Sequence, residues 1–151
     1  AEASFVMLAR NVLGTLPEFF EVESYRASVE RRNNARGKTV NVTEAVVKIV
    51  VDGETLMSVG EGNGPVNALD LALRKDLGKF QVEIEDLELV DFKVRILDGG
   101  TGAVTRVLVE SRDGTGERWT TIGVSANIID ASFEALYESI AYKLLKAGVT
   151  A

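Results

Sequence analysis

The chain has 151 residues, enough for one domain or one domain with a short appendage, and its 46% hydrophobic and 26% charged residues are typical of a globular protein. It contains no cysteine and no histidine, which excludes disulfides, thiolate nucleophiles and the side chain most often used as a general base or metal ligand. The net charge of −6 argues against nucleic acid as a partner, and no apolar run reaches the roughly 18 residues that a membrane helix needs.

The chain is predicted to begin with a helix over residues 1–13. Its apolar residues recur at helical spacing, and Gly14 and Pro17 are typical of a helix end. The first residue is alanine rather than methionine, so we expect residues 1–18 to connect a domain over 19–151 to an upstream part of a longer protein. The apolar stripe consists of Phe5, Leu8, Ala9 and Val12.

The first of two similar units is expected over residues 19–78. Alternating apolar residues, β-branched residues and turn signals predict three strands followed by a helix. The predicted strands cover 20–30, 43–51 and 54–59, with a polar loop over 31–41, a hairpin turn at Asp52 and Gly53, and a helix over 65–77. One apolar face of that helix consists of Val66, Leu69, Leu73 and Leu77.

The second unit is expected over residues 88–147 and repeats the same order. The predicted strands cover 90–97, 104–111 and 118–122, with turns at 98–102 and 113–116, and a helix over 128–145 that is followed by Gly148. The apolar stripe of this helix consists of Ile129, Phe133, Leu136, Ile140 and Leu144.

Residues 53–73 recur as residues 116–136 without a gap, which is the signature of one structural unit used twice. We therefore predict an α+β fold in which duplicated βββα units form a pseudo-twofold sandwich of sheets and helices, preceded by the short N-terminal helix. A ligand site would then lie at the seam between the units, or between copies on partner chains. The identical residues in the two copies are Gly53, Glu54, Gly60, Ala68, Ala72 and Leu73, matching Gly116, Glu117, Gly123, Ala131, Ala135 and Leu136.

A glycine cluster over residues 60–65 separates a predicted strand from a predicted helix. The dinucleotide pattern fails because Pro65 occupies its third glycine position, and no Walker lysine follows. Two interpretations stay open: a tight turn with a helix cap and no ligand, or a helix N-terminus whose free N–H groups bind a carboxylate. In the second unit the matching turn has lost two glycines, and Asn127 with Asp130 is typical of a capping arrangement.

The other candidate residues are interpreted without a ligand. Five neighbouring carboxylates (Glu83, Glu85, Asp86, Glu88 and Asp91) are expected to form a solvated connector rather than a metal site. Four basic residues (Arg31, Arg32, Arg36 and Lys38) are expected in a solvated loop. Trp119, Phe92, Tyr25 and Tyr137 are expected in a core or an interface, and no nucleophile with an adjacent base can be assembled.

Two runs of the second half carry a resemblance to a known family. DFKVRILDGGTGAVTRVLVESRDG (residues 91–114) and WTTIGVSANIIDASFEALYESIAYKLL (119–145) resemble the C-terminal regulatory domain of the isopropylmalate and citramalate synthases. GEGNGPVNAL (60–69) is similar to the first-unit signature of that family, and AEASFVMLARNVLG is similar to the helix that leads into the domain. The sequence of the last helix resembles that of the citramalate synthase branch of the family more than that of the isopropylmalate synthases.

The resemblance implies a duplicated βββα domain that forms a homodimer, binds an end-product amino acid and inhibits a distant catalytic barrel. The parent enzyme would condense acetyl-CoA with a 2-oxo acid by means of a divalent metal. No cofactor, catalytic residue or metal is expected in this part, nor a nucleic-acid or membrane partner, and a cytoplasmic location is expected. The effector contacts that the resemblance implies match Gly62, Asn63, Gly64, Asn67, Leu89, Phe92, Ile96, Ala103, Val107 and Ala126.

Isoleucine is the expected effector, because citramalate synthases answer to isoleucine and isopropylmalate synthases to leucine. Asparagine at position 67 and phenylalanine at position 92 depart from residues common in the family, which leaves the choice of ligand open. The alternatives are a leucine-binding domain of an isopropylmalate synthase, a dimerisation module with no ligand, and an independent small enzyme.

Overall fold

A computed structural model describes residues 5, 6, 8, 9, 18–33, 35–97 and 104–148. Phe5, Val6, Leu8 and Ala9 are helical, as predicted, and the rest of the predicted helix over 1–13 lies outside the described residues. The chain divides into two compact units, Phe20–Lys79 and a second unit made of Phe80–Ala151 together with Ala1–Phe19.

The first unit is a three-stranded antiparallel sheet followed by a helix. Its elements are β1 (Glu21–Asn33), β2 (Thr39–Val51), β3 (Glu54–Gly62) and α1 (Pro65–Lys75), with strand order β1-β2-β3. Asp52 and Gly53 both have positive φ, 51° and 77°, as a type I′ hairpin turn requires, and this confirms the predicted turn. Alternate residues of β2 are buried on the side that packs against α1. This core includes Ala45, Val47, Ile49, Val51, Val66, Leu69 and Leu73.

The second unit repeats the architecture, so the predicted βββα duplication is confirmed. Its elements are β4 (Glu88–Leu97), β5 (Val104–Arg112), β6 (Arg118–Ser125) and α2 (Ile128–Lys146), with strand order β4-β5-β6. The helix α2 packs over β5 and β6. Its core includes Val107, Val109, Trp119, Phe133, Leu136, Ile140 and Leu144. The predicted turn over 98–102 lies outside the described residues.

In both units one strand glycine lets the helix approach the sheet closely. A Cβ on Gly60 would lie 2.6 Å from the Ala72 nitrogen and 2.7 Å from the Ala68 oxygen. A Cβ on Gly123 would overlap the Ala131 oxygen and lie 2.9 Å from the Ala135 nitrogen. Three of the six residues that are identical in the two copies therefore form a strand–helix contact in which backbone approaches backbone.

The strands are longer than predicted. The prediction of a loop over 31–41 is wrong at both ends, since Asn33 pairs with Thr39 and Arg31 with Asn41 in the hairpin of β1 and β2. The third strand runs through Gly62 instead of ending at residue 59, and α1 ends at Lys75 instead of residue 77. The ends of these strands contain polar residues and glycine, so they lack the alternating apolar pattern that predicts a strand. Backbone hydrogen bonds between strands do not depend on that pattern.

The connector between the units is folded, although four of its five carboxylates are exposed, as expected (Glu85, Asp86, Glu88 and Asp91). It forms two 3₁₀ turns, Gly78–Phe80 and Val82–Ile84. Asp86 Oδ2 accepts a hydrogen bond of 2.9 Å from the Gly114 N–H, and Asp86 Oδ1 lies 3.3 Å from Lys143 Nζ. The bond from Gly114 and the lysine hold the pKa of Asp86 below its usual range. The buried connector side chains are Phe80, Ile84 and Leu87.

A buried carboxylate joins the β5–β6 turn to the end of α2. Asp113 accepts hydrogen bonds from the backbone N–H and hydroxyl of Thr115, at 3.0 and 2.5 Å, and its Oδ2 lies 2.5 Å from Lys146 Nζ and 3.8 Å from Lys143 Nζ. Lys146 also pairs with Glu117 at 2.5 Å. Burial alone would raise the pKa of Asp113, but the bonds from Lys146 and Thr115 outweigh it and lower that pKa to about 2.

We expect Asp113→Asn to lower the free energy of unfolding by about 1–2 kcal/mol at pH 7, because Lys146 loses its buried partner but remains partly solvated. The native pKa lies below the unfolded value of 3.8, so this stabilisation is complete above about pH 5 and is lost as pH falls through about 2. Urea unfolding of the unaltered chain and of Asp113→Asn measures this effect. The difference between their free energies of unfolding should be roughly half as large at pH 3 as at pH 7. Glu117→Gln, which removes the more exposed partner of Lys146, should cost less than about 1 kcal/mol. An Asp113→Asn effect that does not change with pH would contradict this account.

Candidate functional site

The turn between β3 and α1 leaves the start of the helix without a side-chain cap. The N-cap residue is Gly64, which has extended backbone (φ −168°, ψ 177°) and no side chain with which to cap, and Pro65 occupies the first helical position. The backbone N–H groups of Val66 and Asn67 follow at the positive end of the helix dipole. Such an end suits a small anion like a carboxylate.

Gly64 is not required to be glycine by the fold. A Cβ at this position would meet no atom within 4 Å, and any residue adopts its extended φ. Asn63, the other residue of the turn, is exposed. Glycine at position 64 therefore has no packing role.

Gly62 and Asn67, predicted to share a site, are in contact. A Cβ on Gly62 would overlap Asn67 Oδ1 and lie 2.9 Å from the Ala68 nitrogen. The missing side chain at Gly62 thus makes room for the Asn67 amide, which lies half-buried against the end of β3. This amide offers a hydrogen-bond acceptor on the same residue as one of the uncapped N–H groups.

Two charged side chains on α1, Asp70 and Arg74, form an ion pair with each other. Arg74 donates to Asp70 Oδ1 from Nε at 3.1 Å and from Nη2 at 2.8 Å. Burial raises the pKa of Asp70, and the neighbouring guanidinium opposes that rise. Arg74 lies in the last turn of α1 and is engaged by Asp70, so it does not serve an anion at the start of the helix.

In the matching turn of the second unit, side chains of the turn accept hydrogen bonds from its backbone N–H groups. The Ile129 N–H donates to Asn127 Oδ1 at 2.7 Å, and the Asn127 N–H donates to Ser125 Oγ at 3.2 Å. This confirms Asn127 as the predicted N-cap. Ala126, a predicted wall residue, is exposed within this turn. The two copies therefore differ at the start of the helix, which has no side-chain cap in the first unit and is capped in the second.

The remaining predicted contacts lie in the second unit. Phe92 pairs with Val109 and Ile96 with Thr105, so both point to the side of the sheet that α2 covers. Because α2 covers β5 and β6, these edge residues are 41% and 71% exposed. Leu89 is half-buried beside a β-bulge, Val107 is fully buried in the core, and Ala103 lies outside the described residues.

Sequence reasoning missed one member of this exposed edge. Val94 is 41% exposed and lies between Phe92 and Ile96 on the same side of β4. Its spacing of two residues from each neighbour was a usable signal. Gly62, Asn63, Gly64 and Asn67 belong to the first compact unit and the apolar residues to the second, so a shared pocket stays a prediction.

Two further findings concern metal ions and membranes. Within the described part of the chain, no group of three or more histidine, cysteine, aspartate and glutamate residues is placed to hold a metal ion. Among the same residues, no helix is both long enough and apolar enough to cross a membrane.

Comparison with known proteins identifies the family. Residues 1–144 match the family described as the LeuA allosteric (dimerisation) domain. The chain belongs to this family. The resemblance expected from the sequence is thereby confirmed, and the two βββα units described above are the architecture of this LeuA domain.

The relatives of this LeuA domain are larger enzymes. The chain is 47% identical over 99% of its length to an (R)-citramalate synthase of Synechocystis, and 49% identical over 99% to one of Streptomyces coelicolor. A probable 2-isopropylmalate synthase of Methanopyrus kandleri is 29% identical over 88% of the chain. The chain spans 28% of the length of the first two relatives and 25% of the third.

Proposed function

We propose that this LeuA domain binds isoleucine and regulates a citramalate synthase-like enzyme by feedback inhibition. The observation that carries the proposal is the uncapped start of α1, which contrasts with the capped start of α2 in the same chain. A duplicated unit that keeps one helix start open, with a glycine that the fold does not require, is suited to a ligand with a carboxylate.

The chemistry of an amino acid matches the groups around this turn. Its carboxylate accepts hydrogen bonds from the Val66 and Asn67 N–H groups at the positive end of α1. Its ammonium donates to the Asn67 side-chain oxygen. Apolar contacts to the branched side chain are the part that the family resemblance assigns to Leu89, Phe92 and Ile96.

The proposed assembly is a homodimer. An edge of β4 that exposes Phe92, Val94 and Ile96 gains from burial against a second copy, since burial of apolar area stabilises by about 25 cal/mol per Å². The family description as a dimerisation domain supports the same assembly. In the proposal, acetyl-CoA and a divalent metal bind to a catalytic barrel elsewhere in the longer enzyme, and this LeuA domain holds neither.

Isoleucine is favoured over leucine because several relatives that are at least 46% identical are named (R)-citramalate synthase, whereas the isopropylmalate synthase relative is 29% identical. Branched isomers differ only in the position of a methyl group, so selection between them is worth roughly 1–3 kcal/mol. Inhibition requires that the bound amino acid favour one arrangement of the enzyme over another.

Calorimetric titration of the chain with isoleucine, leucine and valine tests the proposal. We expect binding heat with isoleucine and roughly tenfold or greater selectivity over the other two amino acids. Selective heat with leucine would instead support a regulatory domain of an isopropylmalate synthase. No heat with any of the three would leave a dimerisation module without a ligand and would contradict the proposal.

A further inference from the structure

The third strand of each sheet has one side that no strand of its own sheet pairs with. Among the described residues, β3 pairs only with β2 and β6 only with β5. The backbone N–H and C=O groups on the other side of such a strand can pair with a strand of another chain. Apolar side chains are exposed on the same strands, since Met57 is 65% exposed, Val59 40% and Val124 48%. Both edges therefore have the features that favour pairing with a further strand.

The register of each hairpin shows which backbone groups point to the unpaired side. Glu54 pairs with β2 across the type I′ turn, and in an antiparallel ladder the direction of the backbone groups alternates from there, so those of Val59 point away from β2. In the second sheet the Asp113 N–H donates to the Glu117 carbonyl at 3.2 Å. The same alternation from Glu117 makes the backbone groups of Val124 point away from β5.

A side chain from the covering helix bonds to one of these groups on each edge. Lys75, in the last turn of α1, donates from Nζ to the Val59 carbonyl at 3.3 Å. Glu134 of α2 accepts a hydrogen bond from the Val124 N–H. Burial raises the pKa of Glu134, and the bond from Val124 opposes that rise. Each edge therefore has a charged side chain bonded to its backbone.

These two bonds are not one contact that the duplication copied. Where residues 53–73 are matched with residues 116–136 and the match is continued along the helix, Lys75 corresponds to Glu138, and Glu134 corresponds to Leu71. The two helices thus reach the equivalent edge from different positions and with opposite charges. Two separate arrangements with the same result indicate that occupation of the edge is what matters, and not one particular side chain.

We propose that Lys75 and Glu134 block strand addition, so that β3 and β6 do not pair with the same strands of a second copy of the chain. An incoming strand would have to displace the charged side chain from the backbone and remove its charge from water. A second copy is the relevant partner because it presents an identical edge, and two identical antiparallel edges can pair about a twofold axis. This proposal concerns strands other than β4 and does not depend on isoleucine binding.

Sedimentation of the chain at increasing protein concentration tests the proposal for β3. Lys75→Met keeps the length of the side chain but removes its charge and its donor, and the mass of the main species should at least roughly double. Lys75→Arg should behave as the unaltered chain does, because the guanidinium is charged and can still donate. Lys79→Met is the matched control, since it replaces another exposed lysine of the first unit and should leave the mass unchanged.

The same measurement applies to β6. Glu134→Leu should increase the mass in the same way, because it removes the acceptor that holds the Val124 N–H. Glu85→Leu replaces an exposed glutamate of the connector and should not change the mass. Hydrogen exchange locates the new contact: in associated Lys75→Met the N–H groups of Met57 and Val59 should exchange about fivefold or more slowly than in the unaltered chain.

Each other outcome would overturn the proposal. An unchanged mass in both Lys75→Met and Glu134→Leu would show that the edges need no blocking. Equal association of Lys79→Met would assign the effect to added apolar surface alone. Association of Lys75→Met without slower exchange at Met57 and Val59 would place the contact elsewhere. Loss of the cooperative urea transition in Lys75→Met would show that the lysine supports folding instead of blocking an edge.

Discussion

Gly123→Ala is expected to lower the free energy of unfolding by about 3 kcal/mol or more, at the upper end of the range for overpacked cores. The added methyl group would overlap the Ala131 oxygen and lie 2.9 Å from the Ala135 nitrogen. These are backbone atoms of α2, so no side chain can rotate away and the whole helix must shift. A shift of α2 would also disturb the bond of 2.6 Å from the Thr121 hydroxyl to the Ala135 carbonyl.

Urea unfolding measures this effect, and two further glycines calibrate it. Gly60→Ala should be destabilising in the same way but less severely, since the corresponding distances in the first unit are 2.6 and 2.7 Å. Gly64→Ala should cost less than about 1 kcal/mol, because its methyl group meets nothing within 4 Å and the remaining penalty is that alanine is a poorer N-cap than glycine. Equal stability of the Gly123 and Gly64 variants would contradict the close approach of α2 to β6.

Gly64→Asn is expected to weaken isoleucine binding roughly 10- to 100-fold, the range for losing hydrogen bonds to a charged group. The new side chain would cap α1 as Asn127 caps α2, by accepting from the Val66 N–H that the proposed carboxylate uses. The same change should leave the free energy of unfolding unchanged or raise it by a few tenths of a kcal/mol, since asparagine is only slightly better than glycine as an N-cap.

The opposite exchange in the second unit provides the control. Asn127→Gly removes the cap of α2 and should cost a few tenths of a kcal/mol while leaving isoleucine binding intact. Calorimetry and urea unfolding of both variants measure the two effects separately. Unchanged affinity in Gly64→Asn would remove the start of α1 from the site, even if isoleucine binds elsewhere on the chain.

The duplicated order of elements could be predicted because each unit carries strong local signals. Alternation on β5, the Asp52–Gly53 turn and the stripe on α2 each agree with one structure, and the repeat at a fixed offset reinforces them. The ends of β1 and β3 could not be predicted from such patterns. Arg31 and Gly62 are residue types that seldom form strands. Both lie in strands here because they pair with β2, and Gly62 also packs against α1.

The candidate site was only partly predictable for a similar reason. The cluster of glycines located the turn, but the roles of its members depend on distances between elements. Gly62 makes room for Asn67, Gly60 makes room for α1, and Gly64 touches neither, although all three are the same residue type. The hydrogen bond from the Gly114 N–H to Asp86 joins residues that are 28 positions apart in the sequence, so no local pattern predicts it.

The glycine–alanine contact between strand and helix has a consequence for how the two halves of this chain could diverge. In each half the close strand–helix contact is made by Gly60, Ala68 and Ala72, or by Gly123, Ala131 and Ala135, and the N-cap residue takes no part in it. Mutations at the N-cap position can therefore accumulate without displacing the helix. Gene duplication followed by such drift allows one half to specialise in recognition while its twin serves only as a rigid support.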